Sequence, residues 1–223
     1  MIPWVHLDTA RIPDGGELRL MRRGAEISIM SGSIELMNSR LSGSEVALAS
    51  LACARLQGRP KPRVLVGGLG MGFTLRAALA ELSGDAVVTV AELVPAVVAW
   101  ARGPMAELFE GCLDDPRVTV RQADVAEVIA GARGAFDAIL LDVDNGPGGL
   151  NRDANDRLYS LAGLIAARRA LRPGGVLAVW SAGRDDGFTR RLRSAGYGAE
   201  EIPVRATGGR RGARHVIWLA TPG

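Results

Sequence analysis

Between residues 63 and 142 the chain repeats one pattern: a short apolar run, a turn, then a helical stretch. The runs are RVLVG (63–67), VVTVAE (87–92), RVTVRQAD (117–124) and FDAILLD (136–142). Helical patterns lie between them over 73–82, 95–108 and a short stretch after Asp124. Runs this short and this apolar suit strands covered on both faces. Strands alternating with helices require a mostly parallel sheet joined by right-handed crossovers. A long helix is expected over 153–171, stopped by Arg172-Pro173-Gly174-Gly175, then a fifth strand at 176–181 and a helix at 185–195. Two last strands, 197–205 and 214–220, face each other across a glycine-arginine turn as an antiparallel hairpin. The fold class is α/β, with a seven-stranded sheet.

The first sixty residues read differently. ELRLM, AEISIM and SIELMN alternate as strands do, with turn residues between them, and predict a β-meander over 17–38. Ser42-Gly43-Ser44-Glu45 matches a capping box ahead of a helix from Val46 to Leu56. A boundary near residue 60 divides an N-terminal unit, 1–60, from the α/β unit, 61–223. At 223 residues the chain can bury one sizeable core with a small appendage. It has no apolar run of the roughly 20 residues that a membrane span needs. Its N-terminus has no charged start followed by an apolar run, so a cytoplasmic protein without signal peptide or membrane partner is expected.

Cys53 and Cys112 match no metal spacing and read as free thiols; His6 and His215 join no catalytic constellation, so no metal is expected. The net charge is +3, carried almost wholly by arginine, with Lys61 the lone lysine. Arg205, Arg210, Arg211 and Arg214 flank glycines at the expected hairpin tip without interleaved aromatics, and do not argue for nucleic acid.

Ligands of open α/β sheets bind beyond the carboxyl ends of the strands. The first run enters Gly67-Gly68-Leu69-Gly70-Met71-Gly72, where the backbone can turn tightly and approach a ligand ahead of a helix N-terminus. The next three runs end on acids: Glu92, placed for two ribose hydroxyls; Asp124, placed for an adenine amine; and Asp142. A dinucleotide fingerprint wants its last glycine where Phe73 stands, which argues against a pyrophosphate. The ligand these residues describe is a cationic adenine nucleoside, and S-adenosylmethionine fits.

At this point the chain resembles the spermidine synthases and their relatives in the Rossmann-like class I methyltransferase fold. VLVGGLGMGFTLR resembles that family's G-G-G-D-G-G loop, VAELVP its V-E-I-D-P, DPRVTVRQAD its D-P-R-V-…-D, FDAILLDVDNGP its Y-D-V-I-x-x-D-S-S-D-P, and ALRPGGVLAVW its L-K-P-G-G-V-L. The resemblance covers roughly residues 30–180. It implies donor contacts at Gly68, Leu69, Gly70, Met71, Gly72, Glu92, Leu93 and Asp124, with Asn38 loosely in place of the family's glutamine. It also implies a homodimer that pairs strands 17–38. The departures concern the substrates. Met71 stands where the family has the aspartate that grips the amine of decarboxylated S-adenosylmethionine. Asn145 replaces the second acid of D-S-S-D, with Asp144 beside it, and Ala47-Leu48-Ala49 replaces Tyr-His-Glu.

A neutral thioether in place of an acid removes the repulsion that a carboxylate on the ligand would meet. Met71 therefore admits full S-adenosylmethionine; its other reading is a gap-filling core methionine. The expectation is an S-adenosylmethionine-dependent transferase, with methyl transfer to a small acceptor, such as an amine, favoured over aminopropyl transfer. The alternatives are a true aminopropyltransferase using decarboxylated S-adenosylmethionine, and a non-catalytic nucleoside-binding homologue. A nicotinamide oxidoreductase is disfavoured by the glycine spacing. Asp142 is the expected base, or else only a ligand-binding acid. Asp144 and Asn145 would position the acceptor. Tyr159 would add a hydroxyl or else pack as a core aromatic, and Trp180 would wall the acceptor pocket or else pack in the core.

Overall fold

The computed structural model describes residues 2–12, 15–143, 146–147, 157–207 and 212–223. Strands β5 (Arg63–Gly67), β6 (Val87–Glu92), β7 (Val118–Gln122), β8 (Phe136–Leu141), β9 (Leu171–Ser181), β10 (Tyr197–Arg205) and β11 (Arg214–Pro222) form one sheet in the order β10-β11-β9-β8-β5-β6-β7. The five from β9 to β7 are parallel, and β11 and β10 add an antiparallel edge. The α/β reading and the terminal hairpin are both present. The chain leaves β5 toward β6 and β7, then returns to β8 on the other side of β5. That reversal opens a crevice between the carboxyl ends of β5 and β8.

The apolar runs serve two layers because successive side chains in a strand point to opposite faces. Val64 and Val66 join the core beneath α1 (Gly43–Ala54), α2 (Phe73–Glu81) and α3 (Pro95–Arg102). Leu65, between them, joins the core beneath α5 (Val125–Ala130), α6 (Leu161–Ala170) and α7 (Asp186–Ser194). The expected helix over 95–108 stops at Arg102, because Gly103 and Pro104 interrupt it, and resumes as the short α4 (Ala106–Phe109). The Arg-Pro-Gly-Gly stop lies within β9, where the register against β8 jumps from Leu171 to Val176 opposite Phe136 and Ala138. Part of the helix expected over 153–171 falls outside the described residues.

The N-terminal meander has a fourth strand that the sequence reading lacked. β1 (Val5–Arg11) pairs with β2 (Glu17–Arg23), followed by β3 (Glu26–Ser31) and β4 (Ile34–Asn38). Only Ala10 of β1 is buried, so it carries little of the alternation that marks a strand. The indole N–H of Trp100 on α3 donates to the Asp8 carboxylate at 2.6 Å and ties this sheet to the main body. Leu18, Leu20, Ile27 and Ile29 belong to the same core as Val64 and Leu48.

Asp137 of β8 binds the sheet's amino-terminal edge together. It is 3% exposed and accepts from the Arg59 guanidinium at 2.8 Å, the Arg63 backbone N–H at 2.8 Å and the Arg172 guanidinium at 3.1 Å. Asp137→Ala leaves two half-buried guanidinium groups and one backbone N–H without their acceptor. We expect it to destabilise the fold by about 3 kcal/mol, read from urea midpoints.

Candidate active site

Two adjoining cavities occupy the crevice at the carboxyl ends of the strands. The larger, about 110 Å³, has Gly68, Glu92, Leu93, Asp124 and Asp142 among its walls, and Leu36 and Met37 of the N-terminal sheet across from them. The smaller, about 60 Å³, is walled by Leu69, Met71, Phe73, Glu45, Asp142 and Trp180 among others. Leu36, Met37, Gly70 and Asp142 belong to both. A separate groove of about 700 Å³, lined by Phe73, Arg76, Cys112 and Arg117, opens on the flank of α2 and includes none of the strand-end acids.

The glycine loop is shaped as much by packing as by access. Gly68 has φ +88°, and a Cβ there would lie 2.3 Å from the Asp142 backbone carbonyl. Gly72 has φ +79°, and its Cβ would strike the Phe109 ring at 2.5 Å. Both positions therefore admit only glycine. Glu92 is buried and accepts from two backbone amides, Leu69 N–H at 2.9 Å and Val94 N–H at 2.8 Å. Those bonds hold its carboxylate and the loop in a fixed relation. Asp124 caps α5 by accepting from Ala126 N–H at 2.7 Å while still lining the cavity.

Asp142 follows β8 immediately and accepts from the Thr74 hydroxyl at 2.6 Å. Burial, reinforced by the negative charge of Glu45, pushes its carboxyl up to about 7, with the Thr74 bond acting against both. Such a group exchanges a proton near neutral pH.

Glu45 was read only as part of a capping box, and the structure corrects that. Ser42 is the N-cap but makes no side-chain cap bond, and Glu45 instead accepts from the Ser44 hydroxyl at 2.7 Å and borders the smaller cavity. Burial raises its carboxyl above the ordinary range. An acid in a first helical turn reads equally well as a partner of the helix dipole, so the sequence carried no separate signal for it. Thr74, hidden in the first turn of α2, was missed for the same lack of a mark.

The other expected residues divide. Met71 is buried, at 4% exposure, and also lines the smaller cavity, so its packing and its place at the site coexist. Asn38 lines that cavity too, while its Oδ1 accepts from the Arg40 and Leu41 backbone N–H groups and shapes the turn after β4. Tyr159 packs edge-on against Phe188 in the core, with its hydroxyl toward the Val143 carbonyl at 3.4 Å, and is absent from the described walls of both cavities. Its core reading accounts for what is seen. Trp180 does wall the smaller cavity. Asp144 and Asn145 lie outside the described residues. Cys53 and Cys112 are free, with burial pushing their thiols to about 12 and about 11.

Folding raises Asp142 from an ordinary 3.8 to about 7. Between these values the folded chain holds a proton that the unfolded chain has released, so stability falls as pH rises through this window. Asp142→Asn removes that penalty. Denaturant titrations should show the variant gaining on the parent from pH 4 to pH 7, by up to about 4 kcal/mol, and levelling off above. Gly68→Ala should cost about 3 kcal/mol or more, seen as a lowered urea midpoint, because both its φ and its nearest atom oppose a side chain.

No family model matches the chain. It is 32% identical over 159 residues to polyamine aminopropyltransferase 1 of Streptomyces coelicolor, covering 65% of this chain and 28% of that protein. It is 35% identical over 147 residues to the polyamine aminopropyltransferase of Mycobacterium tuberculosis, covering 60% of this chain and 26% of the relative. The matched stretch is thus less than a third of either relative's length. Among solved structures, spermidine synthase from Thermotoga maritima has a TM-score of 0.76 at 19% identity, covering 98% of this chain and 73% of that one. A spermidine synthase in complex with the transition-state analogue AdoDATO has a TM-score of 0.75 at 18% identity, covering 98% and 72%. These likenesses overturn the preference for methyl transfer over aminopropyl transfer, since the relatives carry the aminopropyltransferase name. The physical ground for that preference was also incomplete: position 71 is neutral, but Glu45 and Asp142 bring two carboxyl groups to the same cavity. In its curated relatives and in its fold, the chain is spermidine synthase-like.

Proposed function

We propose that this chain transfers the aminopropyl group of decarboxylated S-adenosylmethionine to a small primary amine. The observation that carries the reading is Asp142, a carboxyl poised near neutral pH at the meeting of the two cavities. The larger cavity suits a nucleoside. Its acids stand at Glu92 and Asp124, Gly68 leaves the floor without a side chain, and Leu36, Val97 and Val125 give apolar walls. In this reading Glu92 holds the ribose hydroxyls and Asp124 the adenine amine, while Leu93 lies along the sugar.

The sulfonium donor supplies an electrophilic carbon, whose bond to sulfur breaks as the new carbon–nitrogen bond forms, leaving methylthioadenosine. Asp142 orients the attacking amine and accepts the proton it sheds. A base with a pKa near the working pH is about half ionised before the reaction and still basic enough to take that proton. The N-terminal sheet, through Leu36 and Met37, covers the crevice and limits water at the reacting atoms.

Incubation of the protein with decarboxylated S-adenosylmethionine and a panel of diamines should release methylthioadenosine. Asp142→Asn should slow that release by about 10²- to 10⁴-fold while methylthioadenosine still binds. Glu92→Ala should abolish methylthioadenosine binding in calorimetry. No methylthioadenosine with any amine would refute the proposal.

A further inference from the structure

Trp180, near the end of β9, carries a hydrogen-bond donor that the protein leaves unused. The residue is 8% exposed, and its indole N–H is buried with no acceptor among the described residues. The ring is held where it is. Its strand lies between β8 and β11, and the His215 imidazole packs edge-on against it, with centroids 4.8 Å apart. His215 is itself engaged through Nδ1 with the Ser44 hydroxyl at 2.9 Å. A buried donor without a partner is unfavourable, and native interiors rarely keep one unless a ligand or water meets it.

Trp180 borders the smaller cavity, of about 60 Å³, and is absent from the described walls of the larger one. The other polar side chains on that wall are few. Asn38 is spent on its own turn, its Oδ1 accepting from two backbone N–H groups and its Nδ2 donating to Glu35 at 3.1 Å. Glu45 and Asp142 accept one hydroxyl proton each, from Ser44 at 2.7 Å and from Thr74 at 2.6 Å, and keep further lone pairs. An occupant therefore meets one donor and two carboxyls on an otherwise apolar lining.

Few end groups suit both. An ammonium has three donors and no lone pair, so it leaves the indole unmet. A carboxylate accepts from the indole but faces two groups of its own sign. A methyl group pairs with neither. The neutral amine that attacks the donor carbon needs its lone pair for the new bond. A hydroxyl accepts from the indole and gives its own proton to a carboxylate. Burial holds Glu45 and Asp142 toward their neutral forms, and a hydroxyl also meets a protonated carboxyl, by accepting from it.

We propose that Trp180 is a specificity-determining residue whose indole N–H binds a hydroxyl on the acceptor substrate, which is a short amino alcohol rather than a plain diamine. The amino end goes to Asp142 and the hydroxyl end to Trp180, with diamines left as slower substrates. The inference rests on the aminopropyl-transfer reading and names the acceptor's second group.

The test uses 4-aminobutan-1-ol, 1,4-diaminobutane and butylamine, which differ only in one end group, together with their three- and five-carbon counterparts. With decarboxylated S-adenosylmethionine, we expect the parent's kcat/KM for the best amino alcohol to exceed that for the diamine or alkylamine of the same length by about 10-fold. Trp180→Phe removes the N–H and should bring the ratio of amino alcohol to alkylamine near one, with methylthioadenosine binding to report folding. A parent that favours the diamine or alkylamine at every length overturns the proposal. So does a ratio that Trp180→Phe leaves unmoved, the result that an indole met by water would give.

A second readout needs neither turnover nor the variant. The chain has four tryptophans, and the Trp180 indole proton is identified in NMR spectra by its proximity to the His215 ring. In the methylthioadenosine-loaded parent, the amino alcohol should move that signal downfield and the alkylamine should not. A signal that the amino alcohol leaves in place overturns the proposal. A parent that binds methylthioadenosine but transfers no aminopropyl group to any amine brings down the functional reading. The downfield shift with the amino alcohol alone would leave the hydroxyl site standing in that protein.

Discussion

The site depends on the close approach of two chain segments at the reversal point of the sheet. Asp142 N–H donates to the Gly67 carbonyl at 3.0 Å, and Gly68 N–H donates to the Ala91 carbonyl at 2.9 Å. The Gly68 backbone then passes so near the Asp142 carbonyl that no side chain fits. Three strand ends, β5, β6 and β8, are thereby locked together at main-chain level. Glu92 reinforces the lock by accepting from Leu69 N–H. The acids at these ends keep fixed positions because the backbone that bears them has no freedom to separate.

Desolvation then turns that geometry into chemistry. The same packing that brings the strand ends together puts the N-terminal sheet over them. Leu18, Leu36 and Met37 face the cavity on one side, and Leu20 joins the main core. Lowering the local dielectric raises Asp142 and Glu45 toward the neutral form, and their mutual repulsion adds to the effect for Asp142. A surface aspartate is fully ionised at neutral pH, whereas this carboxyl is raised to about 7.

The strands were legible because their runs are short, apolar and punctuated by glycine, and both covering layers demand that pattern. The place of Glu92, Asp124 and Asp142 at the cleft was legible because each ends a buried run at the carboxyl edge of the sheet. Glu45 was not, since a carboxylate in a first helical turn has an ordinary explanation. Only the fold shows Ser44 drawing it away from the cap. β1 escaped because its side chains are mostly exposed. Met71 was read through its own chemistry alone, and the charge it lacks is present on a segment about 25 residues earlier. Local reading assigns chemistry to positions, while the charge of a cavity is a sum over segments that only tertiary structure brings together.

The His215–Ser44 contact gives the antiparallel edge of the sheet a stake in the cleft. β11 lies two strands away from β8, yet its side chain backs the helix that presents Glu45. Drift in the hairpin's sequence is thus not neutral to the placement of Glu45. A substitution at position 215 would reach the wall of the cleft through two hydrogen bonds, from a strand that does not itself line it.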